Sequence, residues 1–514
     1  MTGPPSAGDP TPERFDLLVI GGGINGAGIA RDAVGRGFSV CLIEQADLGA
    51  ATSSASTKLI HGGLRYLEYG ELRLVRESLI ERGRLLALAP HLIRPLEFVL
   101  PHVPQMRERW KIRLALALYD RLGGDRRLPA SRALDLRRDA RGAPLRAEFA
   151  HGFSYCDCRV DDSRLVVTNA LDAAARGARI LPRTRLLGAS PGAGGWAVEL
   201  LEVASGRRLR LQARVLVNAA GPWVDAVRET LSLRGAQPAR LIRGSHIVVP
   251  RLFAGEQAYL LQSPDRRVLF AIPYEERFTL IGTTDVPFSG DPWQARASAE
   301  EIAYLCEGVS RFFTRAVVPQ EVVWSYSGVR SLKDDAHTEA SAVTRDYALE
   351  LQGPPGAPAL AVIGGKITTY RRLAEAALER LAPCLGASRP WTGSVPLPGG
   401  ALPGPSFAAY LEETERRWGF LPATLRTRLA RAYGTRMERV LGAARSLEDL
   451  GEDFGAHLTA AEVDYLRSEE WARSAEDILW RRSKLGLHVP AGTGERLDAY
   501  LEGRTTAAHA RVRG

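Results

Sequence analysis

The chain has little cysteine: Cys41, Cys156, Cys158, Cys306 and Cys384 are all there are in 514 residues. The odd number and the lack of CxxC spacing argue against a disulfide framework or a structural zinc site, and fit a reducing compartment. No metal is expected. No apolar run approaches the roughly 18 residues of a spanning helix. The opening MTGPPSAGDPTPER has neither a basic start nor an apolar core, so neither classical secretion nor membrane spanning is expected. Lysine is also rare, at Lys58, Lys111, Lys333, Lys366 and Lys484, leaving 63 of the 68 basic residues as arginine. Where arginine is the default cation, a surviving lysine marks a place that needs a compact amine.

What is present describes an ordinary globular chain too long for one core, so two or three domains are expected. Apolar residues make up 45% and charged residues 25%, which excludes wholesale disorder. The net charge is +9, and seven of that surplus fall between Arg107 and Arg146, where eleven arginines and Lys111 face five acids. That stretch is suited to an anionic partner. A basic balance alone speaks only to non-specific attraction, and no basic, aromatic-interleaved RNA module occurs, so no nucleic acid is expected.

Phe15 to Ile20 (FDLLVI) is an apolar run bounded by glycines and is predicted as a buried strand. Gly21, Gly23 and Gly26 follow with GxGxxG spacing, Ile29 to Val34 opens an Ala-rich helix, and Ser39 to Ile43 forms a second strand ending in Glu44. Glycines let the backbone approach a pyrophosphate at the positive helix N-terminus, and the acid accepts from a ribose hydroxyl. The unit predicts dinucleotide binding but does not choose between NAD and FAD. Two later turns favour FAD: VLVNAA (215–220) leading to Gly221, Pro222 and Trp223, and AVI (361–363) leading to Gly364, Gly365, Lys366, Ile367, Thr368 and Thr369 before an amphipathic helix. Strand-like runs from Ser245 to about Ser341 predict an antiparallel sheet able to roof the cofactor. After the Pro/Gly-rich PLPGGALPGPS, residues 400–514 have helical spacing and almost no strand signal.

The densest segment is TSSASTKLIHGGLRY, Thr52 to Tyr66, poor in core residues but suited to line a polar ligand. This segment and GGGINGAG with Glu44, DDSRLV (161–166), VNAAGPWV, GSHIVVP (244–250), IGTTD (281–285), YSGVR (326–330), TRDY (344–347), GGKITTYR and WRRSKLGL together resemble the FAD-dependent glycerol-3-phosphate dehydrogenase family, in particular its aerobic bacterial respiratory members. The resemblance runs from about residue 15 to 490. It implies an α/β fold: an FAD-binding Rossmann-like domain of the D-amino-acid oxidase/glycine oxidase type, an antiparallel-sheet cap domain and a helical C-terminal domain. The expected division is a flexible leader (1–14), a discontinuous FAD-binding domain (15–90, 151–240 and 341–390), a cap (91–150 and 241–340) and the C-terminal domain (400–514). It further implies oxidation of sn-glycerol 3-phosphate to dihydroxyacetone phosphate in glycerol catabolism, with electrons passed to membrane quinone.

The FAD-binding residues expected from the matched motifs begin with Gly21, Gly22, Gly23, Asn25, Gly26 and Glu44. Thr52, Ser53, Ser54, Ser56, Lys58, Leu59, Gly62 and Gly63 follow in the second motif, then Gly221 and Trp223, and last Gly365, Lys366, Thr368 and Thr369. For the phosphate, where arginine's fork suits a dianion, the resemblance points to Arg65, Arg330 and Arg345, with Tyr66 as a hydroxyl donor and Asp285 orienting a basic side chain. Oxidising a secondary alcohol needs a proton acceptor beside the hydride acceptor, and histidine is the natural base near neutral pH. His61 ranks first and His246 second, as base or substrate ligand; Arg330 and Lys366 complete the catalytic set, the lysine stabilising charge on reduced flavin or on the developing alkoxide.

Arg107, Arg109, Trp110, Lys111 and Arg113 precede LALALY. Cations and an indole beside an apolar segment suit the surface of an anionic bilayer, while the same apolar residues equally suit packing under the cap. The expected location is the cytoplasm, peripherally attached to the inner membrane; a homodimer is left open. The mitochondrial relatives' calcium loops have no counterpart here. Rival readings are a glycerol-3-phosphate oxidase using oxygen and, from another class, an RNA-binding flavoprotein.

Overall fold

The computed structural model describes residues 12–513 except 104–105, 125–126, 234–236, 264–266 and 334–345; the side chains of Arg65, Glu68, Tyr69 and 505–513 also lie outside the described set. Two sheets and a helical body make up the described chain. In the first sheet the order is Ala348–Gln352, Ala359–Ile363, Arg208–Asn218, Glu13–Ile20, Val40–Ile43, Arg179–Leu181. Its central pairs are parallel, with Leu17 opposite both Val40 and Val215. Alternation along Glu13–Ile20 sends Leu17 and Val19 into one core, beneath the helices Ile24–Gly35, Asp162–Ala175 and Tyr370–Leu385. Leu18 and Ile20 face the other way, onto Trp196, Val198 and Leu200 of the neighbouring antiparallel strands. Both faces are covered, which is why the strand reads as a continuous apolar run.

The first helix begins at Ile24, not Ile29, so Gly26 and Gly28 are inside it. A Cβ on Gly26 would sit 1.9 Å from the Gly21 carbonyl oxygen. The glycine is a condition for the helix lying this close to the turn.

The second sheet is almost wholly antiparallel, as the alternating middle stretch predicts. Its order is Val286–Pro287, Arg240–Pro250, Phe278–Gly282, Val268–Tyr274, Ala258–Gln262, Ile93–Pro101, His151–Val160, Leu59–Ile60, with Trp324–Leu332 also paired to Arg240–Pro250. Ile247 and Val249 pack towards the helix Ala299–Ser310. Val248, between them, packs with Leu79 of Leu72–Leu88 and with Leu116 and Tyr119 of Arg109–Leu122. Sequence grouping of 151–240 with the nucleotide-binding sheet therefore needs correction at its start, because His151–Val160 pairs along its length with Ile93–Pro101.

Helices from Phe407–Arg417 onward enclose a core of their own. The π-helical turn Asp477–Arg482, which holds the WRR of WRRSK, ties this body to the first sheet. Arg482 bonds Asp47 through two nitrogens (2.6 and 2.8 Å) and Arg481 bonds it through a third (2.7 Å). The buried pair Arg164–Glu470 is a second tie. Ion pairs this dry persist only when fully hydrogen-bonded.

Candidate active site

One cavity of about 460 Å³ opens between the two sheets. From the first sheet it is lined by Gly21, Gly23, Asn25, Glu44, Gly221, Trp223, Gly365, Lys366 and Thr368, and from the segment after Gly49 by Thr52, Ser53, Ser56, Leu59, His61 and Tyr66. Arg330 closes it from the second sheet. Residues separated by more than three hundred positions therefore share one wall.

The wall around the two glycine turns is preorganised by its own hydrogen bonds. Glu44 accepts the N–H of Gly22 at 2.7 Å and of Ala46 at 2.8 Å. Burial raises its pKa, and these two N–H bonds oppose the rise. Ser53 Oγ accepts the Ile24 N–H at 3.0 Å, and Asn25 donates to the Gly364 carbonyl at 3.1 Å, joining the two glycine turns. Asn25 Oδ1 is buried without a hydrogen-bond partner among the described residues. An orphaned acceptor in the wall of a cavity, beside two glycine turns and a carboxylate, fits a long polar cofactor such as FAD.

Another stretch of the cavity wall gathers further candidates. Arg330 Nη1 donates to Asp285 Oδ1 at 2.6 Å, so Asp285 braces the guanidinium from behind the wall. Lys366 Nζ stands over the Tyr66 ring. The His61 N–H donates to Thr368 Oγ1 at 3.2 Å. His246 does not line the cavity. It is 1% exposed, stacks on Tyr326 with ring centres 4.9 Å apart, and bonds Thr57 Oγ1 through Nε2 at 2.9 Å; Thr57, not His246, is in the wall. Burial first, then the charges of Arg330 and Lys58, push its pKa well below the usual value, which keeps the ring neutral.

Several expected cofactor contacts stand behind the wall. Lys58 needs correction: its amine is spent on Asp162 (2.8 and 2.9 Å) and the Ser54 carbonyl (2.9 Å), an internal buried pair. Ser54 Oγ bonds the Ala51 carbonyl, Gly22 serves Glu44, Gly62 bonds Tyr119, and Gly63 precedes the short helix Leu64–Tyr69. Gly26 and Thr369 are likewise absent from the cavity wall. Arg345 and the side chain of Arg65 lie outside the described residues. Sequence reasoning passed over Thr57, Arg185, Phe270 and Trp293, all of which line the cavity. Thr57 lay inside a motif already singled out; the other three carry no local signal.

Residues 16–371 match the FAD dependent oxidoreductase family, and residues 390–501 match the C-terminal domain of alpha-glycerophosphate oxidase. A glycerol-3-phosphate dehydrogenase of Pseudomonas aeruginosa is 52% identical over 97% of this chain and 96% of its own length. A D-erythritol 1-phosphate dehydrogenase of Brucella abortus is 49% identical over 93% of this chain and 96% of its own. Among solved structures, the glycerol-3-phosphate dehydrogenase of Bacillus halodurans complexed with FAD superposes with a TM-score of 0.74 at 28% identity, covering 92% of this chain and 86% of that one. The chain is thus an FAD-dependent oxidoreductase and belongs to the FAD-dependent glycerol-3-phosphate dehydrogenase family.

Proposed function

We propose that the chain oxidises sn-glycerol 3-phosphate to dihydroxyacetone phosphate and delivers the electrons to membrane quinone. The observation that carries this is the meeting of Arg330, Lys366 and His61 in the same cavity as the Gly21 to Glu44 unit. FAD, when bound, supplies a two-electron hydride acceptor. The chain's own residues supply the rest. Arg330, held by Asp285, presents a fixed guanidinium to the substrate phosphate. Lys366 adds a point charge beside the oxygen that loses its proton. His61 takes that proton as the C2 hydrogen departs with its electron pair, so one two-electron oxidation releases one proton to the base. Thr57, oriented by His246, offers a hydroxyl to the substrate.

The D-erythritol 1-phosphate dehydrogenase relative makes a four-carbon polyol phosphate the competing substrate. Anaerobic titration of the holoenzyme with each phosphate decides between them. Loss of the oxidised-flavin band with glycerol 3-phosphate at the lower concentration supports the reading; loss only with the erythritol phosphate replaces it. The C-terminal match to an alpha-glycerophosphate oxidase makes oxygen the competing acceptor, and peroxide yield against quinone-analogue reduction separates the two.

The membrane half of the proposal rests on the helix Arg109–Leu122. Trp110, Leu114 and Leu118, 63%, 64% and 42% exposed, form one outward row at i, i+4, i+8. Arg107, Arg109, Lys111 and Arg113, all exposed, flank it. An apolar row rimmed by cations fits the headgroup region of an anionic bilayer. Reversing Arg107, Arg109 and Arg113 to Glu is expected to abolish co-sedimentation with phosphatidylglycerol vesicles; undiminished pelleting would reject this surface. No helix among the described residues is long and apolar enough to cross a membrane.

A further inference from the structure

The inward face of Arg109–Leu122 ends in Tyr119, 1% exposed and one residue from the exposed Leu118. Its hydroxyl accepts the main-chain N–H of Gly62 at 2.9 Å and donates to Asp157, 2.8 Å from one carboxylate oxygen and 3.0 Å from the other. Asp157 is in turn held by Arg82 Nη1 at 2.6 Å, and the same nitrogen donates to the Cys156 carbonyl at 2.9 Å. Burial and the Asp157 charge raise the Tyr119 pKa well above the usual value. The phenol therefore keeps its single proton, the carboxylate takes it, and a lone pair is left for Gly62. Burial raises the Asp157 pKa too, opposed by the Arg82 charge and its hydrogen bond, and with the carboxylate ionised each bond in the relay has one direction.

Gly62 follows His61, and the two consecutive main-chain N–H groups are held from opposite sides. His61 donates to Thr368 of the first-sheet domain, and Gly62 donates to Tyr119 of the helix. The turn also rests on its supports directly, since a Cβ on Gly62 would lie 2.5 Å from Leu79 and 2.7 Å from the Tyr119 oxygen. A shift of about 1 Å in a reacting group costs an enzyme on the order of a hundredfold in rate.

We propose that Tyr119 is a positioning residue for His61, acting through the Gly62 N–H, with Asp157 and Arg82 fixing the orientation of its hydroxyl. The proposal rests on the reading of His61 as the base. It gives the buried Tyr119 a task in the reaction although it touches neither substrate nor cofactor. It also makes a helix whose outer face is apolar and cationic one hydrogen bond distant from the reacting turn.

The test is Tyr119→Phe in the FAD-loaded full chain. The variant keeps the edge-on ring contact with Tyr155 (5.9 Å between centres) while deleting the phenol oxygen. The Asp157 carboxylate also accepts from the Gly62 N–H, so the variant removes the nearer of two acceptors rather than all of them, and the turn is expected to loosen. Flavin reduction under single-turnover conditions should slow about tenfold with KM little changed. The acid limb of its pH profile should move, which a merely structural defect would not cause. Independently of any substrate, amide deuterium exchange in a peptide spanning residues 59–66 should speed up. Asp157→Asn, which keeps an acceptor for the phenol but weakens it, should shift the same readouts in the same direction by less, and serves if Tyr119→Phe does not fold. Unchanged exchange in either folded variant overturns the proposal. So does wild-type reduction by Tyr119→Phe when His61→Asn is slow. Normal reduction by His61→Asn would instead overturn the assignment of the base, and the catalytic role of Tyr119 with it.

Discussion

Lys366 Nζ lies 3.8 Å from the centre of the Tyr66 ring, so a buried amine in the cavity wall is held against the face of an aromatic residue. A ring face attracts a cation without neutralising it. Lys366→Met is expected to slow flavin reduction on the order of a hundredfold with FAD retained. In a chain that otherwise favours arginine, Lys366→Arg should not rescue it, because the planar guanidinium is bulkier than the amine it replaces. Stopped-flow reduction of the two variants checks both statements.

Arg330 and Asp285 form a charge-assisted pair in which only the arginine faces the cavity. Removing the guanidinium and removing its brace should therefore differ in degree. Arg330→Gln is expected to raise KM for the phosphate substrate on the order of a hundredfold, and Asp285→Asn by about tenfold. Steady-state kinetics with inorganic phosphate as competitor checks this, since the competitor should weaken in parallel.

Acid should destabilise the protein through histidines held neutral in the interior. Burial, then the Arg164 and Arg431 guanidiniums, push His91 down to about 3. In the unfolded chain its pKa returns to about 6.5, so the unfolded state binds the extra proton between these values. The contribution is complete above pH of about 6.5 and is lost progressively as pH falls towards 3, amounting to about 2 kcal/mol at pH 5. His246 acts in the same direction. Urea unfolding at pH 7 and pH 5 should show the fall, and His91→Gln should reduce it.

Arg481 and Arg482 reach Asp47, which follows Glu44 closely in the nucleotide-binding unit. Arg482→Met leaves a buried carboxylate short of partners and is expected to cost about 3–5 kcal/mol of stability. Because Gly49 donates to the Gly22 carbonyl at 2.9 Å, the strain should pass into the glycine turn. Faster FAD loss on gel filtration, with slower flavin reduction no part of the phenotype in the fraction that keeps FAD, is the expected result.

How much of this the sequence discloses depends on how local the cause is. The Gly21 to Glu44 unit is legible because the strand, turn, helix and acid are consecutive, and each has its own periodic or steric signature. His151–Val160 is not, since HGFSYCDCRV alternates with neither period and its partner Ile93–Pro101 lies some fifty residues earlier in the chain. Lys58 and Lys366 are equally rare and equally embedded in motifs, yet one faces Asp162, 104 residues away, and the other faces the cavity. Only the tertiary fold separates an amine needed for an internal pair from one aimed at a ligand. Trp293 stands in the wall for the same reason, brought to 5.9 Å from Trp223 by packing alone.

Asp47 and Arg481 are 434 residues apart. On a ribosome the glycine-rich turn emerges and its parallel strands assemble in order, while the two guanidiniums that complete its neighbourhood do not yet exist. Domains folding as units from the N-terminus would leave this carboxylate solvated until the last helices appear. The buried pairing of Asp47 therefore waits for the segment that holds Arg481 and Arg482, and a chain stopped before that segment would leave this carboxylate without those two guanidiniums.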